Sequence, residues 1–473
     1  MANYTGAITD SNIREIFSDA ADFVARELHC GGFTIYAYLI DGLTAGGEIA
    51  ETILKPLAEL AHAEDMRALY DRCLHGLIYN ASAGPCSDLE SVARKLVNGF
   101  CVVLFPGAGA IGFEVRSGQR RTPSIPDVEN TVKGPKDAFV ETMRINTCLV
   151  RRHLRTPELR FYETQVGRRS LTNVSVVWID GITNKEYVER MKQRLASIDI
   201  DGLISPAAVE EYVTGSRATA FPLLQYTERT DKFCQGLLDG RVGLIVDGLP
   251  IAYLAPVDLA YLMDSPEDRS RDFVTASSIR ILRYAALLIG LFLPGVYITV
   301  ATFHQSVIPL PLLRAIIESK EYVPFTVVTE VLALLIAFEL LQEAGIHLPK
   351  SIGQSVSIIG GIVVGAAAVE AKLLSPVALI VVSITGICGF VLPNRDMAEA
   401  IRVWRFLFAV LSAVMGFYGL AAGVIILLIH LGSLRSLDVP YLSASNLNIV
   451  RKRLKNQKYR NKDLSPEDRR NQK

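Results

Sequence analysis

Four runs between residues 278 and 431 carry no Asp, Glu, Lys or Arg: 285–303, 354–369, 373–393 and 406–430. About 20 apolar residues in helix match the hydrocarbon thickness of a bilayer, so this block limits what the chain can fold into. One such run could be a buried core helix, but four crowded together predict a polytopic membrane domain. A fifth run, 324–341, is apolar but carries Glu330 and Glu339. An ionisable side chain is costly in lipid, so this segment is in-plane, shielded by protein, or functional.

Charge is distributed asymmetrically around that block. The 473 residues hold 49 basic and 49 acidic side chains, which gives no overall attraction to nucleic acid. Residues 1–277 hold most of the charge, and the tail from Arg451 to Lys473 is basic. The seven Cys are scattered, with no CxxC or Cys/His metal spacing, which suits reduced thiols on the cytoplasmic side. The N-terminal residues lack a signal-peptide pattern, and positive charge marks the cytoplasmic side. Both ends are therefore expected inside, with four spans and 324–341 interfacial or re-entrant. That places a loop bearing Arg395, Arg402 and Arg405 outside, and five spans remain an alternative.

The expected fold is an α/β soluble N-terminal half of two subdomains plus an α-helical polytopic membrane domain. The first subdomain covers 1–117, with strands at 33–40, 99–105 and 109–116. A Pro-containing linker at 117–131 leads to the second, 132–277, with a helix at 135–155 and strands at 159–167, 172–179 and 241–246. The membrane domain covers 278–431 and a basic tail 432–473. Three strands end in Asp-Gly (YLIDG, VWIDG, LIVDG). That is either a sign of related subdomains or simply a good turn.

No catalytic motif of the GxSxG, phosphate-loop or HExxH kind is present, and no cofactor or metal is implied; the chain reads as a non-enzyme. The nine basic residues between 133 and 169 are interleaved with acidic ones, which suits a solvated or bridging surface, or a subunit or lipid contact. Glu330 and Glu339 lie on opposite faces of a helix, whereas Glu339 and Glu343 share one. Glu330 suggests ion passage or a buried partner, and Glu339 a wetted interface. Gly353, Ser357, Gly361 and Gly365 recur every four residues, and with Gly360 and Ala368 they make a slim helix. Such a helix either packs within one subunit or lines a pore, with Val364 off the strip and Glu370 near its mouth.

Residues 132–182 resemble the signature of the A subunits of GerA-type spore germination receptors. The matching blocks are Lys133-Gly134-Pro135, Asn146 with Arg151-Arg152, Gly167-Arg168-Arg169, and Asp180-Gly181-Ile182. Residues 322–348, 351–371 and 430–442 resemble the family's later blocks. Lys133 and Lys136 stand where the family tends to show Arg, and the tail after 442 matches loosely. The resemblance implies a multi-pass protein of the spore inner membrane, partnered by a permease-like B subunit and a lipoprotein C subunit. It also implies self-association into a germinant-gated channel for monovalent cations. The alternatives are a SpoVAF-type paralogue acting with the dipicolinate-release machinery, a secondary transporter, and a non-conducting scaffold.

Overall fold

The computed structural model describes residues 4, 6–78, 80, 82–116, 126, 129, 134–203, 205–215, 219–347 and 365–442. They form two compact units, one of residues 4–215 with 223–257 and one of 219–222 with 258–442.

The first unit is built on two five-stranded sheets. One contains β1 (Phe23–Cys30), β2 (Phe33–Ile40), β3 (Ala83–Cys86), β4 (Phe100–Phe105) and β5 (Gly109–Glu114), in the order β1-β2-β4-β5-β3. The other contains β6 (Leu159–Val166), β7 (Thr172–Ile179), β8 (Gln225–Thr227), β9 (Val242–Val246) and β10 (Ala252–Ala255), in the order β6-β7-β9-β10-β8. Every neighbour in both sheets is antiparallel, so the two sheets share one topology.

The sequence of β4, FCVVLF, shows why the first sheet is a middle layer. Cys101, Val103 and Phe105 pack with Ile49, Ile53 and Leu57 on one face. Val102 and Leu104 pack on the other, with helices α1 (Asp10–Ile16) and α2 (Leu89–Val97). A strand covered on both faces reads as a continuous apolar run. Asp88 fixes where α2 begins, its carboxylate accepting the Ser91 N–H at 2.7 Å.

The Asp-Gly signals divide once the sheets are drawn. Asp41-Gly42 and Asp180-Gly181 follow β2 and β7, which are equivalent second strands. Asp247-Gly248 follows β9, a fourth strand, and the Asp247 carboxylate accepts the Met143 N–H at 2.8 Å. All three glycines take positive φ, +85°, +78° and +85°, which a side chain would resist.

The helix expected over 135–155 is shorter: α3 is Met143–His153. The preceding chain is held extended by buried Asn146, which accepts the Val140 N–H at 2.8 Å and donates to the Val140 carbonyl at 2.5 Å. Helices α4 (Lys185–Ala196) and α5 (Thr230–Leu238) complete the second sheet's cover.

The two sheets are tied together within this unit. Arg151 of α3 forks onto Asp22 just before β1, with both nitrogens at 2.8 Å. Arg160 donates to the carbonyls of Ile16 at 2.8 Å and Ser18 at 2.6 Å.

The second unit is helical: α6 (Phe273–Phe303), α7 (Leu310–Lys320), α8 (Val327–His347), α9 (Gly365–Glu370), α10 (Pro376–Val391), α11 (Arg395–Met415) and α12 (Phe417–Ser433). Tyr297 and Ile298 of α6 meet Val331 and Leu335 of α8, Ala378 and Val382 of α10, and Ala409 of α11 in one core. Small residues set the spacing. A Cβ on Gly290 would lie 3.3 Å from Cys388, and one on Gly295 would lie 2.8 Å from the Ser412 hydroxyl.

Among the described residues, α6 is the one helix long and apolar enough to cross a membrane. The other expected spans differ. The run 406–430 is divided between α11 and α12 at Gly416, whose φ of +58° and ψ of −133° only glycine adopts readily. The run 373–393 yields a 16-residue helix, about 24 Å at 1.5 Å per residue and shorter than the hydrocarbon core. Most of 354–369 lies outside the described residues. Arg395, Arg402 and Arg405, expected in a loop, all stand on α11.

All seven cysteines are free and buried. Burial pushes the Cys73 and Cys101 thiols up to about 12, so they are protonated and inert at neutral pH.

Candidate functional site

Three buried or part-buried charge groups stand out in the helical unit, where ionised side chains need an explicit reason to be. The first centres on Glu330, in the first turn of α8. Its side chain is 0% exposed, and the Lys320 ammonium at the end of α7 lies 2.9 Å from Oε1. Oε2 accepts the Ser375 hydroxyl at 2.7 Å and the Ser375 N–H at 3.2 Å. Ser375 is also the N-cap of α10, so this carboxylate closes the start of that helix, where negative charge is favoured. Buried Tyr297 of α6 lies beside Ser375 and Glu330. One carboxylate thus joins α7, α8 and α10, next to α6.

The second group centres on Glu339. Its Oε2 accepts from Arg402 at 3.0 Å and its Oε1 from Arg405 at 2.6 Å, and Arg402 also donates to Gln342 at 2.9 Å. Glu339 is thus ion-paired between α8 and α11 while a quarter of its side chain stays exposed.

The third group lies just before α6. Asp268 accepts from Arg283 at 2.8 and 3.0 Å and from Arg280 at 3.2 Å, while Arg280 also pairs with Asp264 at 3.3 Å. Burial works to raise the Asp268 carboxyl, but the Arg283 hydrogen bond and charge outweigh it and hold it below the ordinary carboxylate value.

The other predicted residues fall in several places. Gly353, Ser357, Gly360, Gly361 and Val364 lie outside the described residues. Gly365 is buried at the start of α9, where a Cβ would meet Leu379 at 3.5 Å; Ala368 is half-buried and Glu370 exposed. Lys133 lies outside the described residues. Gly134 and Pro135 lie in the irregular stretch before α3, while Asn146 and Arg151 are fully buried and Arg152 is exposed. Gly167, Arg168 and Arg169 form the β6–β7 corner. There the N–H groups of Arg168 and Arg169 donate to Ile200 and Asp201 carbonyls, each at 2.8 Å. The exposed side chains of these two arginines face Asp199 at 2.5 Å and Asp201 at 3.8 Å, solvent-exposed pairs of small energetic weight. Asp180 and Gly181 form the corner after β7.

Lys320, Ser375 and Tyr297 were not singled out from the sequence, nor were Asp22 and Asp268. The one available signal was that Glu330, being buried in apolar sequence, must have a cation, and Lys320 is the nearest preceding one.

The described residues thus combine an α/β unit of two antiparallel sheets with a helical unit that holds one helix long and apolar enough to cross a membrane. The family profile described as Bacillus/Clostridium GerA spore germination protein matches residues 11–469, and the chain belongs to this family. It is 34% identical to the uncharacterized membrane protein YfkQ of Bacillus subtilis, across 91% of this chain and 84% of that one. It is 35% identical to spore germination protein KA of the same organism, across 90% of this chain and 78% of that one. Among solved structures it is similar to the N-terminal domain of the A subunit of the Bacillus megaterium spore germinant receptor GerK3. That likeness has 24% identity and a TM-score of 0.40, covering 52% of this chain and 92% of that one.

Proposed function

We propose that this chain is the A subunit of a nutrient-responsive germination receptor in the spore inner membrane. In this reading residues 278–431 form a multi-pass domain, and copies assemble into a germinant-gated channel for monovalent cations. The two α/β subdomains, bounded at 1–117 and 132–277, and the basic tail face the spore core. The partners are a permease-like B subunit and a lipoprotein C subunit. The observation that carries the reading is the family match across residues 11–469, which takes in the soluble and the apolar halves together. Glu330 supports the conducting part: a carboxylate with no exposed surface, lodged among apolar helices, is the kind of group that marks ion pathways. The slim strip Gly353, Ser357, Gly361 and Gly365, with Val364 beside it, is proposed as the packing or pore-lining helix.

The second reading is a SpoVAF-type paralogue that acts with the dipicolinate-release machinery. Capture of the tagged protein from solubilised spore membranes separates the two. A permease-like protein and a lipoprotein from one operon should co-purify with it. Recovery of the chain without either, or with dipicolinate-release proteins instead, would contradict the receptor reading.

A further inference from the structure

We propose that Lys320 is a tethered counter-ion that competes with free monovalent cations for the Glu330 carboxylate in the resting protein. The proposal rests on the cation-conducting reading above and specifies how that site is regulated.

Glu330 cannot stay ionised alone, because a desolvated carboxylate requires a compensating positive charge. Ser375 supplies hydrogen bonds to Oε2 but no charge. Among the described residues, Oε1 has no hydrogen-bond partner, and its neutralising neighbour is the Lys320 ammonium at 2.9 Å. An ammonium is a compact monovalent cation on a flexible four-carbon stem. It therefore stands where a potassium or sodium ion would stand, and it can leave without breaking a covalent bond or losing its charge.

The geometry also gives the ammonium a way out. Lys320 keeps 19% of its side chain exposed whereas Glu330 keeps none, so of the two it is Lys320 whose side chain reaches the surface. It is carried by the last residue of α7, a helix with few buried side chains. Within α7 Ile316 is buried, while Leu310, Leu312 and Ile317 are each more than half exposed. Two residues on, Tyr322 lies under the Lys372 ammonium at 3.7 Å, which ties this segment to the loop before α10. Movement of α7 would withdraw the tethered cation and leave Oε1, with the Ser375 hydroxyl and the Tyr297 phenol nearby, to a free ion.

The test uses the full-length protein purified in detergent, with potassium chloride against N-methylglucamine chloride as the probes. In the unaltered protein, potassium should displace the ammonium and speed acetylation of Lys320 severalfold, read by mass spectrometry, with exposed lysines as the reference. In Lys320→Gln the site is open, so the thermal midpoint should rise with potassium concentration, as linkage requires of an ion that binds the folded state. That rise should vanish in Lys320→Gln/Glu330→Gln. Equal Lys320 acetylation in the two salts overturns the proposal, even if Lys320→Gln fails to fold. A potassium response surviving in the double variant also overturns it. Ion flux in vesicles is scored separately. A potassium effect without flux removes the channel reading and leaves the counter-ion, whereas flux without a potassium effect removes the counter-ion alone.

Discussion

Arg151→Leu is expected to unfold the first unit, or to lower its stability by about 3–5 kcal/mol, the usual result of deleting one partner of a buried ion pair. Arg151 and Asp22 are each 1% exposed, and the guanidinium is held in a fork with both nitrogens at 2.8 Å. Its third nitrogen donates to the Thr156 carbonyl at 3.0 Å, and the group lies over the Phe161 ring at 5.0 Å. Removing it strands a carboxylate in the interior between the two sheets. Asp22→Leu should be comparably harmful, because it strands the arginine. The double variant Asp22→Leu/Arg151→Leu should be milder than either single change, since it leaves no unpaired charge. Denaturant titration followed by circular dichroism measures this, and a wild-type midpoint for Arg151→Leu would rule out a structural role.

Glu339→Gln is expected to be the most damaging neutral substitution in the helical unit. It removes the anion shared by Arg402 and Arg405, and Arg405 is only 3% exposed. Two arginines on one face of α11 would then confront each other across apolar surroundings. The expected loss is about 3 kcal/mol, at the lower end for a buried pair because Glu339 keeps a quarter of its surface. Glu339→Gln/Arg405→Met should recover part of it by removing the stranded charge. The midpoint of thermal aggregation in detergent is a sufficient readout, and an unchanged midpoint for Glu339→Gln would show that α8 and α11 do not depend on this hub.

The parts of the fold that were legible in the sequence are those whose signal is local. Strands β2, β4 and β9 announce themselves as short β-branched and aromatic runs, and YLIDG and VWIDG mark equivalent corners of two sheets with one topology. β1 was missed because FVARELHC lies at the sheet edge, where exposed Arg26, Glu27 and His29 dilute the apolar pattern. The run 406–430 looks continuous because composition does not record a backbone angle, and the break rests on Gly416 alone. The partners of the buried charges were not legible for a different reason. Asp22 and Arg151 are 129 residues apart, and Glu330 and Ser375 are 45 apart. Pairing over such distances is decided by tertiary packing. Sequence showed that Glu330 is an anomaly in an apolar segment but not how it is compensated. The resemblance at 132–182 pointed to the family, yet Asn146 and Arg151 of that signature turn out to hold the fold together.

We propose that this chain belongs to a receptor that turns nutrient binding into cation release. It is tested most directly by potassium efflux after nutrient addition, in spores whose other GerA-family operons are deleted. Prompt efflux to at least one nutrient is expected when the chain is present. None is expected when the chain is deleted, with germination by a non-nutrient trigger retained. Undiminished nutrient-triggered efflux in the deletion strain would contradict it.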